Sequence, residues 1–291
     1  MRALLLVICD AYRLRESYVE GFFDRPVKLR CYCKALPSVM PIESRALRCF
    51  SSVRWHFITS DDPTHGFVDY VNASVAEREG LVRTTERGVY IGVDHETVVP
   101  IDGRGRRSVR LESREEYNAG LFVMQLEHAP VACGAWPAFW MFGEDAEHPW
   151  PEWGELDIME WVHEEQQVST ALHTTVDCSQ DHLEPGEHMD AVWHLGNGSN
   201  ATNCYVGAEF QWFNQGCAQQ GPPDSIGSGF NAQGGGTYAA EWDPKAGYMR
   251  VWLWAMGQEP TDLKEKRPRP DAWGLPTFFY SLDERRGGRQ A

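Results

Sequence analysis

A short run near the middle of the chain constrains the fold more than any other stretch. Residues 154–161 alternate apolar side chains with three carboxylates, Glu155, Asp157 and Glu160. Such alternation predicts a half-buried β-strand, in which every second side chain shares one face. In a regular strand Glu160 would face away from the other two acids. One β-bulge corrects this, because the inserted residue returns Glu160 to the face of Glu155 and Asp157.

The three acids matter chemically because like charges at close range cannot all ionise cheaply. Their pKa values must separate, so that one group stays ionised while another keeps its proton. That separation lets one carboxylate act as a nucleophile beside a neighbouring carboxylic acid. The alternative meaning of a bare E-x-D-x-x-E pattern is a solvated strand face, and the surrounding residues argue against it.

Indole rings flank the acids in the sequence. Flat aromatic faces stack on the apolar faces of pyranose rings, so acids among indoles suit a sugar site. The candidates are Trp140, Trp150 and Trp153 as sugar platforms, and Trp136 and Trp242 as either platform or core. Arg110 is a candidate donor to a sugar hydroxyl, against the default of a surface arginine.

Three motifs together point to a known family. Residues 134–143 contain W-P-A-F-W, residues 154–160 read G-E-L-D-I-M-E, and residues 172–175 read L-H-T-T. This combination resembles glycoside hydrolase family 16, and its laminarinase-like endo-β-1,3(4)-glucanases in particular. A looser likeness runs from about Pro63 to about Pro276. The resemblance implies a concanavalin A-like β-jelly roll, a sandwich of two antiparallel sheets with a concave substrate cleft.

The resemblance also assigns a role to each acid. Glu155 matches the nucleophile, Glu160 matches the general acid/base, and Asp157 would hydrogen-bond the nucleophile. His173 shares a strand face with the predicted cleft and would contact Asp157 or the substrate, although a lone strand histidine is more often structural. We expect no cofactor and no metal in the site, because the carboxylates carry the chemistry, and the sequence leaves a structural calcium ion open.

The implied function is endo-acting hydrolysis of β-1,3- or β-1,3-1,4-glucan by double displacement. Two carboxylates about 5–5.5 Å apart characterise retaining glycosidases, and neighbours on a bulged strand can reach that spacing. Two alternatives stay open. One is a lectin-like protein that binds β-glucan without turnover, and the other is a transglycosylase on the same scaffold. The sequence does not separate the linkage preferences.

Short strands alternate with turn residues along the chain, which favours an all-β sandwich or barrel. The predicted strands beside the acid strand are 80–84 and 88–93 as a hairpin, 107–113, 120–126, 136–142, 168–175, one near 205–213, 234–242 and 248–254. We expect residues 168–175 to pair antiparallel with the acid strand. No helical period is evident.

The charge balance restricts the partners. The formal net charge of −15 argues against nucleic acid and against an anionic membrane surface. A neutral polysaccharide remains compatible, no apolar stretch is long enough to span a bilayer, and we expect a monomer. Sequons at Asn72, Asn197 and Asn200 indicate a secreted or cell-wall glycoprotein, and cysteines in the loop-like region after Val176 indicate disulfides.

The chain divides into three predicted parts. Residues 1–55 read as a leader or disordered segment, with an interrupted apolar run after Arg2 that is compatible with a signal peptide. Residues 56–283 form the predicted catalytic domain, which would lack the closing strands of its relatives. Residues 284–291 are a polar tail. Trp161 stands where most relatives carry glycine, and we expect it to narrow a subsite.

Overall fold

The computed structural model describes residues 2–4, 55–84 and 88–282. The strands in these residues are β1 (Arg2–Leu4), β2 (Trp55–Phe57), β3 (Val68–Tyr70), β4 (Val82–Thr84), β5 (Val89–Ile91), β6 (Arg106–Ser108), β7 (Leu111–Glu116), β8 (Gly120–Leu126), β9 (Ala138–Phe142), β10 (Glu155–Glu160), β11 (Ser169–His173), β12 (Val192–Trp193), β13 (Cys217–Gln220), β14 (Gly236–Asp243), β15 (Tyr248–Ala255) and β16 (Phe278–Ser281). The short helices are α1 (Ala73–Arg78), α2 (Gly227–Ala232) and α3 (Thr261–Lys264), with a 3-10 turn at Pro270–Ala272.

Two antiparallel sheets dominate the described part of the chain. The larger has the strand order β12-β13-β11-β10-β9-β1-β7-β2, and the smaller has the order β16-β15-β14-β8. Two further pairs flank them, β3 with β6 in parallel and β4 with β5 as a hairpin. The strand that carries the acids therefore lies well inside the larger sheet. The predicted all-β sandwich is confirmed.

The core lies between the two sheets. Leu156 and Ile158 of β10, Tyr238 of β14 and Val251 of β15 are almost wholly buried in one cluster. Burying an apolar side chain of this size contributes roughly 1.5–3 kcal/mol. A hydrogen bond from the Tyr280 hydroxyl to a β11 carbonyl, 2.7 Å long, ties the smaller sheet to the larger. This packing holds one face of β10 firmly while its other face carries the acids.

Several predicted strands are confirmed. Residues 80–84 and 88–93 contain the β4–β5 hairpin, β8 is a buried strand, and β11 pairs antiparallel with β10. The strands predicted at residues 234–242 and 248–254 correspond to β14 and β15, which pair with each other. The three helices were missed because each has six residues or fewer, too few to establish a helical period.

Two strand predictions are wrong. Residues 107–113 do not form one strand, because the chain leaves β6 and enters β7 in a different sheet. Residues 205–213 form turns, and the strand begins only at Cys217. Phe210 and Asn214 have positive φ angles of 62° and 58°, which break an extended strand.

Trp161 lies in the core, contrary to the prediction that it narrows a subsite. The residue is 3% exposed, and its indole N–H donates to the Pro130 carbonyl at 2.9 Å. A bulky apolar ring that directly follows a strand is stabilised by burial rather than by exposure to a cleft.

Some predictions fall outside the described residues. These are the polar tail 284–291 and the leader 1–55, apart from Arg2–Leu4 and Trp55. Among the helices that the structure does describe, none has the length and apolar character that crossing a bilayer would require.

Candidate active site

The acid strand β10 carries one residue more than each of its neighbours. Asp157 lies opposite Ala171 of β11. Glu160 lies opposite Ser169, one residue out of the register that a regular strand would keep. The register against β9 shifts in the same way between Asp157 and Met159. The predicted β-bulge is therefore confirmed, and it is what brings Glu160 back to the face of the other acids.

Each glutamate is capped by an indole. The Trp150 N–H donates to Oε2 of Glu155 at 2.6 Å, and the Trp136 N–H donates to Oε1 of Glu160 at 2.5 Å. Both tryptophans are exposed, at 37% and 68%. A donor to a carboxylate favours its ionised form and fixes the orientation of the group. The two rings thus line the site at opposite ends of β10.

Asp157 forms a buried pair with His173. Its Oδ2 lies 3.0 Å from Nε2 of His173, and the two residues are 4% and 6% exposed. Glu155 lies directly opposite His173 in the β10–β11 register. Ligand-type atoms of Glu155, Asp157 and His173 all lie within 4.8 Å of one another. Within the described residues these three side chains are the group that could coordinate a metal ion. Asp157 already hydrogen-bonds to both His173 and Glu155.

The acids resist ionisation because they are buried together. Burial, with the added charge of Asp157, raises the pKa of Glu155 to about 8 and that of Glu160 to about 7. Burial also raises the pKa of Asp157 to about 7, against a lowering hydrogen bond with Glu155. At neutral pH the cluster therefore holds protons that exposed carboxyls would have lost.

The pKa of His173 is shifted in the opposite direction to the pKa values of the acids. Burial lowers the pKa of His173, although Glu155 and Glu160 partly offset the effect. The Asn214 carboxamide lies against the imidazole and also favours its charged form. Near neutral pH the ring is mainly neutral, so His173 can exchange a hydrogen bond with Asp157 without adding a full charge to the site.

The other predicted contact residues are spread more widely. Trp140 of β9 lies opposite Asp157 in register, and the Arg110 guanidinium sits 5.1 Å from the centre of its ring. Trp153 is 52% exposed and donates its N–H to Asp145 at 3.1 Å. Trp242 is not brought to the acids, because it lies on β14 of the smaller sheet and packs against the core.

Two residues near the site, Asp145 and Asn214, were not predicted from the sequence. Asp145 holds the loop before β10 by accepting hydrogen bonds from Trp153 and from the His148 ring, at 3.1 and 2.9 Å. Asn214 reaches His173 from a distant loop. An Asp before a turn is a weak local signal for the first, but no sequence signal marks the second, because the contact is long-range.

The fold and the site together define the class of protein. It is a two-sheet β-sandwich whose larger sheet presents three clustered carboxylates, two of which accept hydrogen bonds from tryptophans. Residues 55–286 match the family described as "XgeA-like, catalytic GH16 domain". The chain belongs to glycoside hydrolase family 16.

Individual relatives agree with this assignment. The chain is 40% identical over 226 residues to endo-1,3(4)-beta-glucanase xgeA of Emericella nidulans, an alignment that covers 76% of this chain and 33% of that protein. The chain thus spans about a third of the length of that curated relative.

Two solved structures are similar as well. An elongating GH family 16 β-1,3-glucosyltransferase has a TM-score of 0.69 and 35% identity, covering 79% of this chain and 71% of that one. Laminarinase 16A from Phanerochaete chrysosporium, with β-glucans in both donor and acceptor sites, has a TM-score of 0.68 and 32% identity, covering 78% and 72%.

Proposed function

We propose that this chain is an endo-acting retaining glycoside hydrolase that cleaves β-1,3- or mixed β-1,3-1,4-glucan. The observation that carries the proposal is the bulge in β10, which sets Glu155, Asp157 and Glu160 within electrostatic reach of one another. Family membership and the glucanase relatives support the substrate class. A pure lectin has little use for a cluster of one buried and two half-buried acids, since taking their charges out of water destabilises the fold.

In the first half of the reaction, Glu155 attacks the anomeric carbon of the sugar. As the C–O bond to the leaving sugar breaks, Glu160 transfers its proton to the departing oxygen. The result is a glycosyl ester on Glu155 and an ionised Glu160. The raised pKa of Glu160 suits this step, because the group is still protonated near neutral pH.

In the second half, Glu160 acts as a base. It takes a proton from water while the water oxygen attacks the anomeric carbon and the ester bond to Glu155 breaks. Glu160 is thereby reprotonated and Glu155 is released as a carboxylate. Two inversions at the same carbon retain the β configuration.

Asp157 and His173 govern where the cluster keeps its proton. Glu155 must be ionised to attack, yet burial and Asp157 favour its protonated form. A proton held on Asp157 removes that repulsion, and His173, 3.0 Å from Asp157, stabilises the arrangement. Asp157 and His173 are thus positioning residues that set the charge of the nucleophile.

The proposal is tested by hydrolysis of laminarin and lichenan. We expect wild type to release reducing sugar, Glu155→Gln to release almost none, and the exposed control Glu187→Gln to match wild type. Proton NMR of the first product should show the β anomer. Equal rates for wild type and Glu155→Gln, or an initial α product, would refute the assignment. A chelator should leave the rate unchanged.

Transfer to a second sugar is the other candidate, favoured by the similarity to an elongating glucosyltransferase. The same glycosyl ester would form, and a sugar hydroxyl would replace water in the second half. Chromatography of products from a single purified oligosaccharide separates the two reactions. Products longer than the starting oligosaccharide would establish transfer, and shorter products alone would establish hydrolysis.

We also propose that the protein is secreted, monomeric and glycosylated. The sequon asparagines Asn72, Asn197 and Asn200 are all exposed, and Cys204 and Cys217 form a disulfide. Disulfides persist mainly in oxidising compartments. Expression in a fungal host should place the protein in the medium, with a mass that falls on treatment with an endoglycosidase.

A further inference from the structure

Four large apolar side chains are exposed in the segment between β12 and β13. Leu195, Phe210, Trp212 and Phe213 are 77%, 60%, 60% and 87% exposed. We call these four residues the aromatic ledge. Folded chains normally bury such side chains, and an exposed apolar group concentrated in one segment marks an interaction site.

The ledge is held by a rigid framework. The Cys204–Cys217 disulfide closes the loop at its base. Between them, the buried Gln211 side chain donates to the carbonyls of Asn203 and Gly216, both at 2.8 Å. The rings are therefore displayed on a fixed backbone, which reduces the entropy that binding a ligand would cost.

The ledge also adjoins the carboxylate site. Phe213 directly precedes Asn214, whose side chain lies against His173. A Cβ atom on Gly216 would come within 3.0 Å of the His173 ring, so the backbone of this loop passes directly over the histidine. Phe213 stands one peptide unit, about 3.8 Å between Cα atoms, from a residue that touches the site.

The chemistry of the loop favours an uncharged ligand. Between residues 195 and 216 the only charged side chain is Glu209, whereas the whole chain has a formal net charge of −15. Exposed aromatic faces within a neutral, amide-rich surface match the alternating apolar faces and hydroxyl edges of a neutral glycan. An acidic or basic partner would find no complementary charge here.

We propose that the aromatic ledge is a binding platform for glucose units of a β-glucan that extends past the carboxylates, on the side where β11 faces β13. The proposal rests on the proposed function, since it takes the same polysaccharide as ligand. Trp212 and Phe213 supply the stacking surface and lengthen the site beyond Glu155. They bind substrate and take no part in bond cleavage.

The test compares Trp212→Ala/Phe213→Ala with wild type and with the control Phe67→Ala. Phe67 is a 50% exposed aromatic residue beside β3, outside the site. For long laminarin chains we expect KM to rise about tenfold in the double variant. For a four-unit oligosaccharide, kcat should stay unchanged. Phe67→Ala should match wild type on both.

A binding measurement separates the ledge from the chemistry. In the Glu155→Gln background, retardation in laminarin-containing native gels should depend on Trp212 and Phe213. If wild type hydrolyses glucan and the ledge variants keep its KM and retardation, the ledge proposal is wrong and the function stands. If no variant hydrolyses glucan but retardation still depends on the ledge, the function fails and the platform stands.

Two other occupants of the ledge would overturn the proposal. If wild type sediments as a dimer and the ledge variant as a monomer, the ledge is a contact between copies of this chain. The sequon at Asn197 lies two residues from Leu195. If laminarin binding depends on the ledge only in Asn197→Gln, the protein's own glycan covers it.

Discussion

Each sheet carries one cluster of acidic side chains whose surroundings differ from those of the other. On the smaller sheet, Glu241 of β14 is 4% exposed, and Arg250 of β15 donates to its Oε2 through Nε at 2.8 Å. The guanidinium also stacks 4.3 Å from the Tyr248 ring and 4.9 Å from the Trp252 ring. On the larger sheet Asp157 is buried and Glu155 and Glu160 are half-buried, and the described side chains of other residue types that hydrogen-bond to them are two neutral indoles and an imidazole.

The difference separates a structural charge from a reactive one. A guanidinium that donates two hydrogen bonds to a carboxylate balances its charge and fixes it in place. A carboxylate without a cation keeps its proton until pH or a substrate removes it, so its charge can change during a reaction. Disrupting the two clusters should therefore affect different quantities. Removing Glu155 should lower the reaction rate, and breaking the Arg250–Glu241 pair should lower the stability of the fold.

The largest expected effect is on rate. Glu155→Gln should lower kcat/KM on laminarin by roughly 10,000-fold, because no nucleophile remains to form the glycosyl ester. The free energy of unfolding should not fall, since the amide relieves repulsion with Asp157. Urea titrations followed by tryptophan fluorescence give the stability. If Glu155→Gln were slower only because less of it is folded, Glu155 would be a structural acid like Glu241, and the distinction between the two clusters would fail.

The next effect is on stability alone. Arg250→Met should reduce the free energy of unfolding by about 3 kcal/mol, because it leaves Glu241 buried without its cation. The kcat of the folded variant should stay at the wild-type value. The double variant Glu241→Gln/Arg250→Met is the control and should recover part of the loss. A loss of kcat in Arg250→Met at full stability would mean that the two clusters are coupled.

The sequence predicted the parts of this contrast that depend on residues close together in the chain, and it missed the contacts between residues far apart in the chain. The acid strand, its bulge and the adjacent β11 were predictable, because alternation and one mis-phased glutamate are local signals. The partnership of Arg250 with Glu241 joins opposed residues on β14 and β15, and it requires the register of that pair. The contact of Asn214 with His173 depends on an irregular loop. Periodicity cannot place a loop, which is also why residues 205–213 were wrongly predicted as a strand.

A smaller effect concerns the alkaline limb of the pH–rate profile. Hydrolysis needs Glu160 protonated, so the rate should fall as pH rises through its pKa of about 7. The Trp136 indole lowers that pKa by stabilising the carboxylate. Trp136→Phe should therefore move the limb to higher pH, as measured by kcat on laminarin between pH 5 and 9 (roughly the window of the limb). A limb that stays in place would assign the proton to another group.

The smallest expected effect is the pH dependence of stability. The pKa of Glu155 is about 8 in the folded protein against 4.5 for the free side chain, so the folded state holds the proton more tightly. The stabilisation from this group is complete below pH 4.5 and is lost as pH rises through about 8. Glu155→Gln removes that loss, because glutamine does not titrate. By calorimetry, its Tm should match wild type in acid and exceed it at pH 8.

The cation-paired cluster gives the internal control for that measurement. Glu241→Gln removes the carboxylate partner of the Arg250 guanidinium, so it should lower Tm at pH 8 where Glu155→Gln raises it. Opposite signs at one pH, from the same chemical substitution in one chain, can arise only if the surroundings of the two acids differ. If both substitutions moved Tm in the same direction, the division between a structural and a reactive carboxylate would not hold.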